Sequence, residues 1–348
     1  MRRAICFLGL VLGISYSQAA AQNPGPNHMT IAVAVTDKSG KPVLGLQQQD
    51  FTLLDNKQPR TIASFRAVEN RAATADPPVE AIVLMDSVNT TPTNVASARI
   101  GLTQFLERDG GALSRPTSLA FLTSPGISID EKSSQDGHFL IGELNQRFLG
   151  LRAIDRSAGV YGGYDRLKLS LDSLAKLMQF EVNKPGRKLV VWISPGWSLL
   201  SGAGLDLSSN QRDSIFQTVV DYTNGLWKSG ITLYQVDPLG VAEAGQVRAI
   251  EYKRFLNGVK TARQVEYGNL ALQVLATESG GLVINSGNDI GALIARCFED
   301  GNAFYELSFD AAAAQKPNEY HALEVKVDQP GATARTRTGY YAQPDSSR

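Results

Sequence analysis

The sequence predicts an α/β protein, with a doubly wound, mostly parallel sheet over about residues 79–302 and a small β-sheet module built from strands on either side of it. Three features point to this. Continuous apolar runs of strand length, such as Ala81-Ile-Val-Leu-Met85, alternate with segments whose apolar residues recur at helical period, the pattern of a sheet covered on both faces. The segments before and after this zone switch to period two. Each flanking zone holds only about three short strands, too few to bury a core alone, so the two are expected to pair.

The elements follow in chain order. Residues 1–21 read as a signal peptide: Arg2 and Arg3, an apolar run from Ala4 to Tyr16, and small residues Ala19-Ala20-Ala21 ahead of a cleavage point before Gln22. That run is shorter than the roughly 20 residues a membrane-spanning helix needs, so the mature chain is expected to be periplasmic or secreted with no membrane span. Residues 22–78 form the first part of the β module. Thr30 to Thr36 is a strand with Ile31, Val33 and Val35 on one face, Asp37 to Pro42 is a turn, and Asp50–Asn56 and Gln58–Phe65 are further strands before a linker at Asn70–Pro78.

The α/β zone then runs through the Ala81 strand, a helix over Val95–Leu106, the strand Ser118–Leu122, a helix over Asp165–Phe180 and the strand Lys188–Ile193. It continues with a helix near Gln211–Trp227, the strand Ile231–Val236, a helix from Gly268 to Glu278, the strand Gly281–Asn285 and a helix over Asp289–Phe298. Residues 303–342 return to strands: Ala303–Phe309, the strictly alternating Leu323–Asp328, and Thr336–Ala342. Residues 343–348 are expected to be a disordered tail.

Charge and cysteine content narrow the function classes. Loss of Arg2 and Arg3 leaves 32 basic residues against 34 acidic ones, a net charge of −2. Such a balance offers no global field for nucleic acid, and no basic run supplies a local one. Cys6 leaves with the signal, so Cys297 has no intrachain partner; its helical-period apolar setting places it in the core. His28, His138 and His321 lie in three different zones, which argues against zinc.

Several pieces in a fixed order resemble the VWFA-related proteins abundant in Acidobacteria: Val35-Thr-Asp-Lys-Ser-Gly-Lys-Pro-Val-Leu-Gly-Leu46, Asp50-Phe-Thr-Leu-Leu-Asp55, the Asp86 loop, Pro185-Gly-Arg-Lys-Leu-Val-Val-Trp-Ile-Ser194 and Gly339-Tyr-Tyr-Ala342. The resemblance covers nearly the whole mature chain. It implies a von Willebrand factor type A-like, Rossmann-like fold, export, and no established enzymatic activity. In that family a metal-ion-dependent adhesion site sits at the C-terminal edge of the sheet, with D-x-S-x-S after the first strand, a Thr from a second loop and an Asp from a third. Here the first segment reads Asp86-Ser87-Val88-Asn89-Thr90, so Asp86 and Thr90 match while Val88 has no side-chain oxygen for a hard cation. Ser194 stands in place of the Asp, and Tyr164 where the Thr is sought. A weak site for Mg2+ or another divalent cation at Asp86 and Thr90 is the most this degenerate motif supports. The alternative is that Asp86 caps the following loop through backbone N–H groups.

The sequence therefore leads to an exported, non-enzymatic protein that recognises a protein partner through Asp86, Asn89, Thr90, Ser194, Trp197 and Tyr164, with Trp197 and Tyr164 read either as exposed aromatic anchors or as rings packed over the end of the sheet to close its core. Two other readings stay open. One is a hydrolase in the same cleft, although Ser194-Pro-Gly is not G-x-S-x-G. The other is a structural subunit of an envelope assembly.

Overall fold

The computed structural model describes residues 28–68, 79–148, 159–197, 206–239 and 251–344. The expected signal peptide, the linker and residues 345–348 lie outside them. The central element is a sheet in the order β11-β10-β9-β5-β6-β7. Its parallel strands are β5 (Glu80–Asp86), β6 (Ala112–Thr123), β9 (Lys188–Ile193), β10 (Ile231–Val236) and β11 (Val283–Ile284). Numbered within this sheet, the order is 3-2-1-4-5-6, the doubly wound arrangement, with its third strand reversed. The fold is the doubly wound, mostly parallel α/β arrangement that the alternating apolar pattern predicts.

Each strand sends alternate residues to opposite layers. Ala81, Val83, Met85, Leu119, Phe121, Val191 and Tyr234 face one core with α1 (Pro92–Leu106), α2 (Gly137–Phe148) and the helix Ile290–Asp300, here α6. Ile82, Leu84, Ala120, Leu122, Val190, Trp192 and Leu233 face the other, with α3 (Gly159–Glu181), α4 (Ser209–Lys228) and α5 (Leu272–Glu278). Burying one such Leu or Val fully contributes about 1.5–3 kcal/mol. Helix starts follow local chemistry. Thr91 accepts from the Asn94 N–H with Pro92 in the first turn, and Ser208 and Gln211 form a reciprocal capping box ahead of α4. Cys297 lies wholly within the first core, as its periodicity predicts.

The hairpin strands β7 (Gly126–Ile129) and β8 (Ser134–Asp136) and the helix α2 follow β6 without a counterpart in the sequence reading. Helix α3 begins six residues earlier than its periodicity indicates, through Gly162 and Gly163.

The flanking zones form two four-stranded antiparallel sheets rather than one. The first has the order β14-β1-β12-β4, from Thr333–Arg335, His28–Thr36, Phe304–Asp310 and Ser64–Val68. The second has the order β15-β13-β2-β3, from Gly339–Ala342, Glu319–Val327, Phe51–Asp55 and Gln58–Arg60. N-terminal and C-terminal strands alternate in the first sheet, whereas in the second the C-terminal pair β15-β13 joins the N-terminal pair β2-β3. Ile31, Val33, Leu307 and Phe309 of one sheet meet Phe51, Leu53, Leu323 and Tyr340 of the other in a shared core. Two segments expected as single strands, Gln58–Phe65 and Thr336–Ala342, are corrected. In the first, the chain leaves one sheet after Arg60 and enters the other at Ser64; the second joins a sheet only from Gly339, while the preceding strand, Thr333–Arg335, pairs in the other sheet. Pro59 lacks a donor and accordingly sits on an edge strand. Gln343, expected in a disordered tail, donates its amide to Asn318 Oδ1 at 2.5 Å.

Helix α4 ties the two units together. Asn224 exchanges two hydrogen bonds with the Tyr341 backbone (2.9 and 3.1 Å), Trp227 Nε1 donates to the Thr30 carbonyl (3.0 Å), and Arg337 donates to the Thr223 carbonyl (2.9 Å).

Candidate functional site

Parallel pairing fixes which ends of the strands meet. Met85 is in register with Ile193, so the residues that follow, Asp86 and Ser194, stand side by side at the C-terminal rim of the sheet. Asp237 ends β10 at the same rim, and the start of α3 brings Tyr164 there.

Asp86 is 2% exposed, and both of its carboxylate oxygens are engaged from within the chain. Oδ1 accepts the backbone N–H groups of Val88 and Asn89, each at 2.9 Å. Oδ2 accepts Asn89 Nδ2 at 2.8 Å and the indole Nε1 of Trp192 at 3.1 Å. Four donors fill the approximately four lone-pair sites of a carboxylate. Asn89 Nδ2 also donates to Ser170 Oγ on α3 (2.8 Å), joining the loop to the helix.

The remaining motif positions fit a divalent cation no better. Val88 is packed into the core against Leu84, Leu122 and Trp192. Ser194 is fully buried; its Oγ accepts the Gly196 N–H at 3.2 Å and its carbonyl accepts Gln235 Nε2 at 2.5 Å. Thr90 is buried with Oγ1 unpartnered among the described residues, the one oxygen of the expected pair still available. No group of three or more His, Cys, Asp or Glu side chains suited to a metal occurs among the described residues. Four internal donors thus occupy the Asp86 carboxylate, and of the hydroxyls of Thr90 and Ser194 only that of Thr90 is unpartnered among the described residues.

Of the two readings for Trp197, the structure bears out the one in which it closes the core, and the exposed one is corrected. Trp197 is 3% exposed and lies edge-on to Trp192, with ring centroids 5.2 Å apart and planes at 73°. Trp192, against which it packs, holds Asp86, so Trp197 closes the top of the core instead of presenting an anchor. Tyr164 is 45% exposed and meets Tyr267 edge-to-face at 6.1 Å, above a groove of about 330 Å3 between α3 and α4.

Three rim residues escape the sequence reading: Gln235, Gln273 and Tyr267. Gln235 and Gln273 donate to the successive carbonyls of Ser194 and Pro195 and fix the loop after β9. A signal for Gln235 existed, since it is the sole amide in the apolar run Ile231–Val236. Asp237 accepts the Leu239 N–H (2.9 Å), the local turn its Asp-Pro dipeptide indicates. His138 stands against Gly111, just ahead of β6 and therefore at the opposite edge from Ser194, so no Ser194–His138 pair exists.

No protein-family model matches the sequence, and no curated protein sequence matches it. Among solved structures, the chain is similar to a mutant of the PilB minor pilin from Streptococcus sanguinis (11% identity, TM-score 0.33, 64% of this chain and 62% of that one). It is also similar to the SpRpn10 VWA domain (10%, 0.29, 62% and 93%) and to the pilus adhesin SpaC from Lactobacillus rhamnosus GG (10%, 0.36, 89% and 42%). The chain thus spans less than two thirds of the pilin and under half of the adhesin. With likenesses this distant, the fold assignment rests on the strand order.

Proposed function

We propose that this chain is an exported, non-enzymatic recognition protein that binds another protein at the C-terminal rim of its central sheet without a metal ion. The observation that carries the reading is the Asp86 carboxylate, which four donors of its own chain occupy. A rim built this way is preorganised by internal hydrogen bonds, which lowers the entropic cost of binding.

The contact surface is Tyr164 with Tyr267 beside it, flanked by the Asn89 and Thr90 loop. Tyr164 is exposed and Tyr267 half-buried, and surface tyrosines of this kind serve as interface anchors because they offer large area at small entropic cost. Asp86, Ser194 and Trp197 act beneath this surface as positioning residues. Export rests on the signal-like residues 1–21 and on the resemblance to VWFA-related exported proteins of Acidobacteria; no helix among the described residues is long and apolar enough to cross a membrane. Against hydrolysis stand the burial of Ser194 and the location of His138 at the far edge.

The test is capture of partners from envelope extract by the immobilised mature protein, with EDTA and with Mg2+. The expected result is a set of captured proteins that is the same in both buffers and is lost with Tyr164→Ser. Capture that requires Mg2+, or that Tyr164→Ser leaves intact, contradicts the proposal.

A further inference from the structure

A groove of about 610 Å3 lies between the two units at the N-terminal edge of the central sheet, on the side away from Asp86. It is walled by β1, the starts of β9 and β10, the end of α4 and the chain near Thr336. Among the described residues its charged lining is strongly one-sided. Lys184, Arg187, Lys188, Lys228 and Arg337 face a single carboxylate, Glu306, which Arg66 already engages at 2.7 Å.

Two of these cations are local matters: Lys184 pairs with Glu181 (2.8 Å), and Lys188 Nζ donates to the carbonyls of Glu181 and Lys184. Arg187 and Arg337 are different. Both are more than nine-tenths buried, and their hydrogen bonds go to neutral oxygens. Arg187 donates to Thr232 Oγ1 (3.1 Å) and the Tyr234 hydroxyl (3.3 Å), which leaves its buried Nη1 without a partner. Arg337 donates to the Gly339 and Thr223 carbonyls, each at 2.9 Å. Behind Arg187 stands the fully buried Arg115, with Nε and Nη1 also unpartnered, so like charges are stacked against the groove wall. Among the described residues none of these three guanidinium groups forms an ion pair, although Asp300 lies near Arg115 and Glu278 near Arg337, and an anion in the groove offsets the cost of burying them.

We propose that this groove binds a small multivalent oxyanion, of phosphate-ester or polycarboxylate type, through Arg187, Arg337 and Lys228. Its volume falls within the roughly 300–1,000 Å3 of small-molecule sites. Planar guanidinium forks suit both oxyanion classes. Since the mature chain carries a net charge of −2, the attraction is local to the groove. The site is separate from the rim and does not depend on the function proposed there.

The test uses the mature protein with inorganic pyrophosphate and with citrate at constant ionic strength, followed by calorimetry and by the shift in melting temperature. Lys228 is exposed at the end of α4, so Lys228→Gln and Lys228→Glu keep the fold. Lys326→Gln on β13 serves as a control outside the groove. The expected result is one saturable site for at least one anion, weakened in the order Gln then Glu at residue 228, by tenfold or more for Glu, and unchanged by Lys326→Gln. Tighter pyrophosphate binding identifies a phosphate ligand, and tighter citrate binding a polycarboxylate. No saturable binding of either anion by either readout, or equal affinity across the three proteins that differ at residue 228, overturns the proposal.

Discussion

The indole N–H of Trp192 donates to the carboxylate of Asp86 at 3.1 Å, tying the end of β9 to the end of β5 beneath the rim loops. This bond and three others turn the position where the resemblance implies a ligand contact into a structural anchor.

Asp86→Ala should therefore destabilise the protein by about 3 kcal/mol or more, because it leaves the Trp192 indole and two backbone N–H groups without acceptors in a buried site. Trp192→Phe removes only one of the four bonds and should cost about 1 kcal/mol from that source. Urea denaturation measures both. A cost below about 0.5 kcal/mol for Asp86→Ala, the range of ordinary surface changes, contradicts the anchoring role.

Gly196 has φ +102°, and a Cβ there would overlap the Gln273 side-chain amide. Gly196→Ala should cost about 1–3 kcal/mol through strain and collision. Gln273→Ala removes the collision, so the double variant should be less destabilised than the sum of the singles. Simple additivity in the double-mutant cycle would show that the two residues do not meet.

Burial pushes the Glu278 carboxyl up to about 8, with nearby Arg337 pulling the other way. Between the ordinary glutamate pKa of about 4.3 and that value, the folded state holds a proton the unfolded chain has released. Stability from this group is therefore lost as pH rises through that window and is constant above it. Glu278→Gln should match the wild type near pH 4, exceed it increasingly up to pH 8, and then run parallel. A stability difference independent of pH would exclude this assignment.

Cys297 is enclosed in the first core, and burial holds its thiol well above the usual range. A thiol kept protonated and shielded reacts poorly. In protein lacking residues 1–21, an aromatic disulfide reagent should leave the native state unmodified and label the chain once in denaturant. Rapid labelling of the native protein would place Cys297 at the surface.

The legible part of this molecule is its central sheet. Strands such as Ala81–Met85 and Lys188–Ile193 are apolar on both faces, a pattern that only a sheet covered on two sides produces, and their order sets the rim that Asp86 and Ser194 share. The short pieces were less legible. Gly126–Ile129 and Ser134–Asp136 have too few residues for a period to emerge, and they form because β6 extends to Thr123 and offers partners. Gln58–Phe65 reads as one strand because period two does not reveal which sheet a residue joins. At the rim, the sequence leaves Trp197 open between an exposed anchor and a lid on the core, since nothing local shows that Trp192 packs against it. The buried arginines are invisible for the same reason: Arg115, Arg187 and Arg337 come from three distant segments, and only the fold sets Arg115 beside Arg187 and brings Arg187 and Arg337 to one groove.

The most direct test of a rim that works without metal is the melting temperature of protein lacking residues 1–21 in EDTA and in saturating Mg2+, Mn2+ and Ca2+. Since a cation bound to the folded state raises stability by mass action, a saturated Asp86 predicts one common melting temperature in all four conditions. A rise with any of the three cations that disappears in Asp86→Ala would contradict the account.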